Sequence, residues 1–306
     1  MKIYTTKTGL PKRLPNTVVT MGNFDGVHKG HQRLLQLTKE HSGKIVGNSV
    51  ALTFDPHPVQ LFKPGSFKQI QPLEDRLERF EKTGIDACVV LEFTRDMADV
   101  TPESFVKDWL MSMFDLKHII IGFNTTFGKE RKGDPDMMRE FGKDLGFDTT
   151  VVDAVIMGNK PISSSRIRKA VSAGKIRETN DMLGYPYKIS GTVVKGFGRG
   201  NSLLGFPTAN VQYSGNLVPE NGVYAAWLKR GSASHRAAVN IGYNPTFGND
   251  AVSIEAFIMD FEEDIYGEQV SLKFIQHLRG EKKFDSLDDL KAQMGQDIET
   301  IRDILR

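Results

Sequence analysis

Two histidines lie three residues apart near the start of the chain, in the glycine-containing segment GNFDGVHKGH. His28 and His31 would share one side of a first helical turn, because residues three apart on a helix are neighbours. The free N–H groups of a helix N-terminus attract anions, so the segment predicts a phosphate site. A metal site is a weaker interpretation, since no third ligand is evident at local spacing. A polar helix cap with exposed histidines is the other alternative.

A second phosphate-binding pattern occurs in ISSSRIR, where Ser164 and Arg168 are four residues apart. On a helix this spacing places a hydroxyl and a guanidinium on one face. Such a pair suits the β- and γ-phosphates of a nucleotide, because arginine can bind two phosphate oxygens at once. A serine cap followed by a solvated arginine is the alternative.

A glycine-rich segment, GFGRG, precedes the polar segment Pro207-Thr208-Ala209-Asn210. Backbone N–H groups at Gly196 and Gly200 could surround a phosphate, although the spacing matches neither a dinucleotide-binding turn nor a P-loop. In an extended chain Thr208 and Asn210 point to the same side. Two neutral oxygens there suit Mg²⁺ carried by ATP. A turn with polar residues at a strand edge is the alternative.

Glu255 lies in the strand-like segment VSIEAFIMDF, on the same predicted face as Phe257 and Met259. A carboxylate among apolar neighbours is costly unless it is paired or used. The pattern therefore marks Glu255 as a candidate for chemistry. An ion pair at the rim of the strand is the alternative.

The elements that must position these residues differ between the two halves of the chain. In the first half, strand-like and helix-like segments alternate. The strand-like segments are 17–22, 44–54, 86–93 and 116–123, and the helix-like ones are 29–41, 73–84 and one that opens at Thr101-Pro102. Apolar strands separated by helices predict a parallel sheet that is covered on both faces.

The second half changes character near residue 185, after helix-like segments that end at Gly174 and Gly184. About five short strands with glycine and proline between them predict a small antiparallel barrel. The tail predicts an amphipathic helix, with apolar residues every three or four positions and a cap at Ser286. The predicted domains are residues 1–184 and residues 185–306.

Composition excludes several protein classes. The 306 residues are 39% hydrophobic and 25% charged, with a net charge of +2, so no overall basic field predicts a nucleic-acid partner. The single cysteine, Cys88, excludes an internal disulfide and predicts a buried, inert thiol. No signal peptide and no apolar run of membrane-spanning length is evident. The expectation is a cytoplasmic protein without a membrane partner; an oligomer stays open.

Several of these segments resemble the bacterial bifunctional riboflavin kinase/FAD synthetase family, whose first domain carries the HxGH nucleotidyltransferase signature. The resemblance includes GNFDGVHKGH, GFNTTFGKERKGD (122–134) and ISSSRIR in the first half. It continues through GTVVKGFGRGNSLLGFPTANV (191–211), NGVYA, NIGYNPTFG, DIYG and LRGE. The implied fold is α/β: a Rossmann-like HxGH nucleotidyltransferase domain with a parallel sheet, then a small antiparallel β-barrel riboflavin kinase domain and a C-terminal helix.

For the first domain the resemblance implies that FMN and ATP react to give FAD and pyrophosphate. The FMN phosphate would attack the α-phosphorus of ATP, so no strong base is needed. The residues implied to bind ATP or its phosphates are Gly22, Phe24, Gly26, His28, His31, Ser164 and Arg168. Those implied to contact the flavin are Asn23, Asp25, Asn124, Phe127 and Arg131. Simple turn roles for Asn23 and Asp25, and a core role for Phe127, stay open.

For the second domain the resemblance implies that ATP phosphorylates riboflavin to FMN. Glu255 would take the proton from the 5′-hydroxyl of riboflavin, and Thr208 and Asn210 would hold Mg²⁺ with ATP. Gly196 and Gly200 would contact phosphates, and Arg279 would reach phosphate or flavin. Asn240 and the segment 245–247 are further candidates. The resemblance also implies that the segment Asp55-Pro56-His57-Pro58 lies near the first site, although a stiff proline loop explains it equally well, and no chemical role is assigned to His57.

Two other functions are alternatives to this one. An adenylyltransferase whose barrel only binds flavin would lack Thr208, Asn210 or Glu255, and all three are present. A flavin-binding regulator or oligonucleotide-binding barrel would favour a basic, aromatic-lined strand face. The basic residues of the barrel are instead scattered along the sequence.

Overall fold

The computed structural model describes residues 1–195, 207–213, 217–243 and 252–306. The chain divides into two compact units, Met1–Ser164 and Ser165–Arg306. The predicted division at residues 184/185 stays a prediction. The described helices include none with the length and apolar character needed to cross a bilayer.

The first unit is built on six strands and a hairpin. Its strands are β1 (Lys2–Thr5), β2 (Leu14–Met21), β3 (Asn48–Asp55), β4 (Ala87–Glu92), β5 (Phe114–Gly122) and β6 (Asp148–Val152), with the hairpin β7 (Ile156–Met157) and β8 (Lys160–Pro161). Its helices are α1 (Lys29–Lys44), α2 (Pro58–Phe62), α3 (Leu73–Lys82), α4 (Arg95–Ala98), α5 (Pro102–Ser104), α6 (Met111–Met113) and α7 (Pro135–Leu145). A wide helical turn joins α5 to α6 over Phe105–Leu110, and a 3₁₀ turn covers Lys129–Arg131.

All neighbouring strands of the main sheet are parallel, in the order β1-β4-β3-β2-β5-β6. From β2 the chain first builds outward through β3 and β4, and then returns to place β5 on the other side of β2. The strand order therefore reverses between β2 and β5. In open α/β sheets ligands bind at this reversal, outside the carboxyl ends of the strands.

Both faces of the parallel sheet are covered, as the sequence predicts. Alternate residues point to opposite faces, so Val19 and Met21 join one core cluster while Val18 joins the other. Leu34 and Leu35 of α1 and Phe80 of α3 cover one face. Met138 of α7 and residues of the 105–113 region cover the other face. Cys88 is fully buried in this sheet, and burial raises the pKa of its thiol to about 12.

In the described part of the second unit, two helices precede a barrel and a last helix follows it. The helices are α8, which begins at Ser164 on the border of the units (Ser164–Ser172), α9 (Ile176–Leu183) and α10 (Leu287–Ile304). The strands are β9 (Tyr187–Val194), β10 (Thr208–Tyr213), β11 (Gly222–Arg230), β12 (Ala233–Tyr243), β13 (Val252–Ile258) and β14 (Gln269–Arg279). These strands close into a barrel in the order β10-β13-β12-β11-β14-β9, and every neighbouring pair is antiparallel.

The last helix lies on the outside of the barrel. Its cap is the predicted one, because the Ser286 hydroxyl accepts the N–H of Asp289 at 3.1 Å. Ile298 and Ile301 pack against Val223 and Ala225 of β11. Leu287, at the other end of the predicted apolar stripe, stays 53% exposed. Among the residues with a described position, the apolar cluster therefore holds the C-terminal half of α10.

The predicted fold class is confirmed, with local differences. The predicted strand 44–54 begins only at Asn48, because α1 continues to Lys44 and the chain then turns at Val46 and Gly47. A Cβ on Gly47 would lie 2.1 Å from the carbonyl oxygen of Asn16, so a larger residue does not fit there. β1, β6 and α7 were missing from the sequence-based assignment.

Candidate functional site

The turn that carries the histidine pair leaves the sheet where the strand order reverses. It follows β2 directly, and the N–H of Gly22 still donates to the carbonyl of Leu52 at 3.1 Å. Phe24 has φ +49° and Gly26 has φ +88°, both left-handed, so the chain coils tightly over this stretch. Residues 24–28 are buried, whereas Asn23 is exposed. Asn23 is therefore the residue that this part of the turn offers to solvent.

Asp25 holds the turn in place. Its carboxylate accepts the N–H of Ile70 at 3.0 Å and the N–H of Gln71 at 3.2 Å, and Asp25 is 1% exposed. The hydroxyl of Ser164 donates to the Asp25 carbonyl at 2.8 Å. The structure thus brings predicted phosphate residue Ser164 to the histidine turn. It gives the carboxylate of Asp25 a tethering role, and the flavin contact of Asp25 stays a prediction.

His28 and His31 form one stacked unit at the start of α1. Their ring centroids are 3.7 Å apart and the ring planes differ by 17°. His28 is the N-cap of the helix, since its Nδ1 accepts the N–H of His31 at 3.3 Å. The edge of Phe24 also contacts His31, with centroids 5.2 Å apart. The predicted common orientation of the two histidines is confirmed, and it comes from a cap as well as from helical spacing.

Burial keeps both imidazoles neutral. It lowers the pKa of His28 to about 4. Burial, and then the nearby His28, lower the pKa of His31 well below its usual value. Because Nδ1 of His28 accepts a hydrogen bond, the proton of the neutral ring belongs on Nε2, which can donate. The pair therefore supplies hydrogen-bond donors to a phosphate without carrying positive charge.

Sequence reasoning missed Arg76, which lies beneath this turn. The side chain is 1% exposed and donates from Nη1 to the Asn23 carbonyl at 2.9 Å and to the Thr53 hydroxyl at 3.1 Å. Its Nη2 donates to Asp55 at 3.2 Å. A signal was present in the sequence, since Arg76 falls on the apolar side of α3 with Leu73 and Phe80. A charge on a buried stripe must find partners.

The segment after β5 lies on the other side of the strand reversal. Asn124 is exposed there, as a ligand contact requires, and Arg131 is exposed with its Nε donating to the Thr126 hydroxyl at 2.9 Å. Phe127 is instead 6% exposed and belongs to the core cluster beside Phe105. Packing accounts for the Phe127 ring. The flavin contacts of all three residues stay predictions.

Two further features of the first unit were not singled out as sites. A groove of about 650 Å³ lies between α1 and the end of β6, and its lining includes Lys29, Arg33 and Asp153. His57 caps α2, because its Nδ1 accepts the N–H of Val59 at 3.1 Å. A chemical role for His57 stays unassigned.

In the second unit, three polar residues form a row across neighbouring strands. Asn210 of β10 lies directly opposite Glu255 of β13, and Glu255 lies directly opposite Asn240 of β12. Residues directly opposite in antiparallel strands share a face, with Cβ atoms roughly 4.5–5.5 Å apart. Sequence reasoning selected Asn210 and Glu255 separately. Only the register shows that the two are cross-strand neighbours.

Glu255 occupies the outer, half-buried face of the barrel. Ile254 and Ala256 are buried on the opposite face, while Glu255 alternates with them and Phe257 packs against the cluster beneath α10. Burial raises the pKa of the Glu255 carboxyl above its usual value. A carboxylate with a raised pKa is a better proton acceptor than an ordinary glutamate.

Thr208 and Asn210 are both half-buried on one side of β10, and Ala209 between them is buried on the other. The predicted common orientation of their side chains is thus confirmed. Two neutral oxygens close to the Glu255 carboxylate form a donor set that fits Mg²⁺, a cation that prefers oxygen ligands.

Arg279 is engaged by the last helix. Its guanidinium binds the carboxylate of Asp297 through Nη2 at 2.7 Å and Nε at 3.0 Å, and Asp297 is 5% exposed. A bidentate pair of this kind fixes both side chains. Arg279 thus joins β14 to α10, and its contact with phosphate or flavin stays a prediction.

For the remaining predicted site residues, the ligand contacts stay predictions. Gly196, Gly200 and the segment 245–247 lie outside the described residues. Arg168 lies one turn into α8 from Ser164, in the second unit. The phosphate contact of Arg168 stays a prediction.

Comparisons with known proteins agree with the two-unit arrangement. The family described as FAD synthetase matches residues 10–166, and the family described as riboflavin kinase matches residues 183–305. A bifunctional riboflavin kinase/FMN adenylyltransferase from Listeria monocytogenes is 38% identical over 94% of this chain and 92% of its own. The protein of the same name from Escherichia coli K12 is 34% identical over the same shares.

A solved structure is similar over nearly the whole chain. It is described as a macrolide-efflux protein from Streptococcus pneumoniae, and it superposes with a TM-score of 0.90 at 30% identity. The match covers 99% of each chain. The arrangement of strands and helices is therefore shared with an experimentally determined fold.

Proposed function

This chain belongs to the family of bifunctional riboflavin kinase/FMN adenylyltransferases, and we propose that its two reactions use two separate sets of side chains. It phosphorylates riboflavin to FMN and adenylylates FMN to FAD, with ATP as the second substrate of both steps. The proposal concerns which residues do this work.

In the first unit, adenylyl transfer takes place at the turn that leaves β2. An oxygen of the FMN phosphate attacks the α-phosphorus of ATP, a bond forms between them, and the bond to the β-phosphate breaks to release pyrophosphate. The nucleophile is already an anion, so catalysis is a matter of positioning and of neutralising charge. The stacked, neutral pair His28 and His31 supports this assignment, because it offers donors and no base is needed.

The remaining contacts of this site follow from the same proposal. Ser164 and Arg168 bind the outer phosphates of ATP, and the backbone of Gly22, Phe24 and Gly26 approaches the nucleotide. Asn23, Asn124 and Arg131 face the flavin side. The exposure of these last three side chains supports that assignment.

In the second unit, the phosphoryl transfer needs a base because riboflavin presents a neutral alcohol. Glu255 takes the proton of the 5′-hydroxyl, the oxygen bonds to the γ-phosphorus of ATP, and ADP leaves. The raised pKa of Glu255 and its cross-strand neighbour Asn210 support this role. Thr208 and Asn210 would hold Mg²⁺, which neutralises phosphate charge when bound. A cytoplasmic location also belongs to the proposal, since both steps consume ATP.

A product assay tests the assignment. The purified chain receives riboflavin and Mg-ATP, and chromatography separates riboflavin, FMN and FAD. The variant His28→Asn is expected to accumulate FMN, and Glu255→Gln is expected to leave riboflavin unconsumed while still converting added FMN to FAD. His41→Asn, a histidine farther along α1, is the matched control and should resemble the parent. If either site variant loses both steps, separate side-chain sets are wrong.

A further inference from the structure

Arg76 is a buried cation for which the two reactions as assigned have no direct use. Replacing a buried ion pair by apolar residues of similar volume is often neutral or stabilising. The Nε of Arg76 also lacks a hydrogen-bond partner among the residues that the structure describes, and an unpaired buried donor is costly. Stability alone is therefore a weak reason for this side chain.

The terminal nitrogens of Arg76 join the ends of two neighbouring parallel strands. Nη1 donates to the carbonyl of Asn23, just after β2, at 2.9 Å, and to the carbonyl of Phe54, at the end of β3, at 3.2 Å. Nη2 donates to Oδ1 of Asp55 at 3.2 Å. Met21 of β2 is directly opposite Leu52 of β3, so the carboxyl ends of these two strands are neighbours. A single guanidinium therefore binds the chain at the ends of both strands.

The residues held in this way expose polar side chains at the carboxyl edge of the sheet. Asn23 is exposed although residues 24–28 that follow it are buried. The Asp55 side chain keeps 42% of its surface. Arg76 thus presents an amide and a carboxylate on adjoining strands, beside the turn that leads to the histidine pair.

We propose that Arg76 is a positioning residue for FMN adenylyl transfer, which fixes Asn23, Asp55 and the turn to His28 in the arrangement that the reacting phosphates require. It acts through the main chain of Asn23 and the side chain of Asp55 and need not touch a substrate. The planar guanidinium reaches both strand ends at once, whereas a lysine ammonium is a single point that cannot. The inference rests on the proposed site at residues 22–31.

The decisive variant is Arg76→Lys, which keeps the positive charge and removes the two terminal nitrogens of the guanidinium. Its kcat for FMN to FAD is expected to fall about 10- to 100-fold with KM values for ATP and FMN within about threefold, because misplacement by about 1 Å costs that much. The riboflavin kinase rate of the same chain should stay at the parent value, because Glu255 and its neighbours lie in the second unit. Far-UV circular dichroism and the melting temperature report whether the first unit is folded. Arg79→Lys, three residues along α3, is the matched control and should leave both rates unchanged.

Arg76→Met separates positioning from folding, because it fills space without donating hydrogen bonds. It should lose at least as much kcat as Arg76→Lys, whatever its melting temperature. The proposal is overturned if Arg76→Lys keeps the parent kcat, or if kcat falls across the variants only in step with the melting temperature. His28→Asn, run in parallel, tests the site itself. An active His28→Asn would contradict the proposed function, whereas an inactive one beside a normal Arg76→Lys would contradict this inference alone.

Discussion

Ionisation distinguishes the residues of the two proposed sites. His28 is buried and His31 is half-buried, and both have lowered pKa values, so they are neutral donors at neutral pH. Glu255 is half-buried and has a raised pKa, which makes it the stronger base. The difference matches the nucleophiles, since a phosphate arrives charged and an alcohol must lose a proton.

The lowered histidine pKa values can be tested directly by NMR. The Cε1–H resonances of His28 and His31 are expected to stay at neutral-imidazole positions from pH 8 down to about pH 5, because burial disfavours the charged form. In the urea-unfolded chain both rings should titrate near the ordinary value of about 6.5. Titration of either ring near 6.5 in the folded protein would contradict the neutral pair. Rates alone are a poorer probe, since a phosphate monoester itself titrates at about pH 6.

The same pKa shift makes stability depend on pH. Between about 6.5 and 4, the unfolded chain binds a proton at His28 that the folded chain does not, so the free energy of unfolding falls as pH falls through that interval. Urea titrations at pH 7 and pH 5 measure this slope. His28→Asn should show a shallower slope, and an unchanged slope would mean that His28 is not buried as a neutral ring.

For Glu255 we expect the riboflavin kinase activity to decrease at acidic pH, which gives an acid limb in the plot of kcat/KM against pH. The carboxyl must lose its proton to act as a base, and its pKa lies above the ordinary 4.5. The kcat/KM for riboflavin should therefore rise with pH through an apparent pKa above 4.5. Glu255→Gln should lower kcat by about 100-fold or more and abolish that limb. A Gln variant with the same limb would assign the titration to another group.

Sequence patterns identified these residues better than they identified their partners. The spacing of His28 and His31 predicted a shared face, and the apolar neighbours of Glu255 marked it as a candidate for chemistry. The same patterns could not show that Arg279 forms an ion pair with Asp297, or that Arg76 donates a hydrogen bond to the carbonyl of Asn23. Each of those pairs joins residues that are distant in the chain, and local periodicity contains no information about such contacts.

At the scale of elements, α1 fixes the histidine pair through its first turn. Gly30 lies between the two histidines, and a Cβ there would approach the His28 ring to 3.1 Å. Gly43 lies near the other end of the same helix, and nothing is within 4 Å of its Cβ position. The two glycines therefore differ in what surrounds them although both are helical.

This difference yields a paired prediction. Gly43→Ala should raise the free energy of unfolding by about 0.5–1 kcal/mol, the usual gain for alanine over glycine in a helix, and leave FMN adenylylation unchanged. Gly30→Ala should gain less stability and lower adenylylation by about tenfold or more, because the displaced ring misplaces its donor. Urea unfolding and the FAD assay measure both effects. Equal activities would mean that the ring position is not critical.

Elements with strong periodicity could be predicted, and weakly patterned ones could not. α1, α3 and the apolar strands β4 and β5 are close to their predicted bounds. β6 reads DTTVV and is only half-buried at the sheet edge, so it lacks the continuous apolar pattern of its neighbours. An edge strand is more exposed because only one of its sides is paired with a neighbouring strand, and it therefore lacks the apolar pattern by which central strands are predicted.

At the scale of the whole molecule, the start of the barrel domain depends on which unit α9 belongs to. This helix lies mostly between the regions that match the two families, residues 10–166 and 183–305. α9 packs on β9 and β14, and its Asn180 accepts the N–H of Tyr187 at 2.7 Å while donating to the Phe274 carbonyl at 2.9 Å. These contacts tie α9 to the barrel, although the predicted domain starts after it.

Fragments test that boundary. A fragment of residues 165–306 is expected to melt at least about 5 °C higher than one of residues 185–306, because the shorter piece lacks Asn180 and the apolar side of α9. Scanning calorimetry of the two fragments measures the difference. Equal melting temperatures would favour the boundary predicted from the sequence.

Closure of the barrel has a consequence for the order in which the chain folds during synthesis. β9 completes the ring with β14, where Ile189 lies opposite Leu272, so the ring stays open until the last strand leaves the ribosome. The parallel sheet has all six of its strands once Val152 has been made. Domains fold as units in the order of translation. A chain released before Gln269 would therefore carry a complete sheet for adenylyl transfer beside an open barrel with unpaired strand edges, which are prone to aggregate.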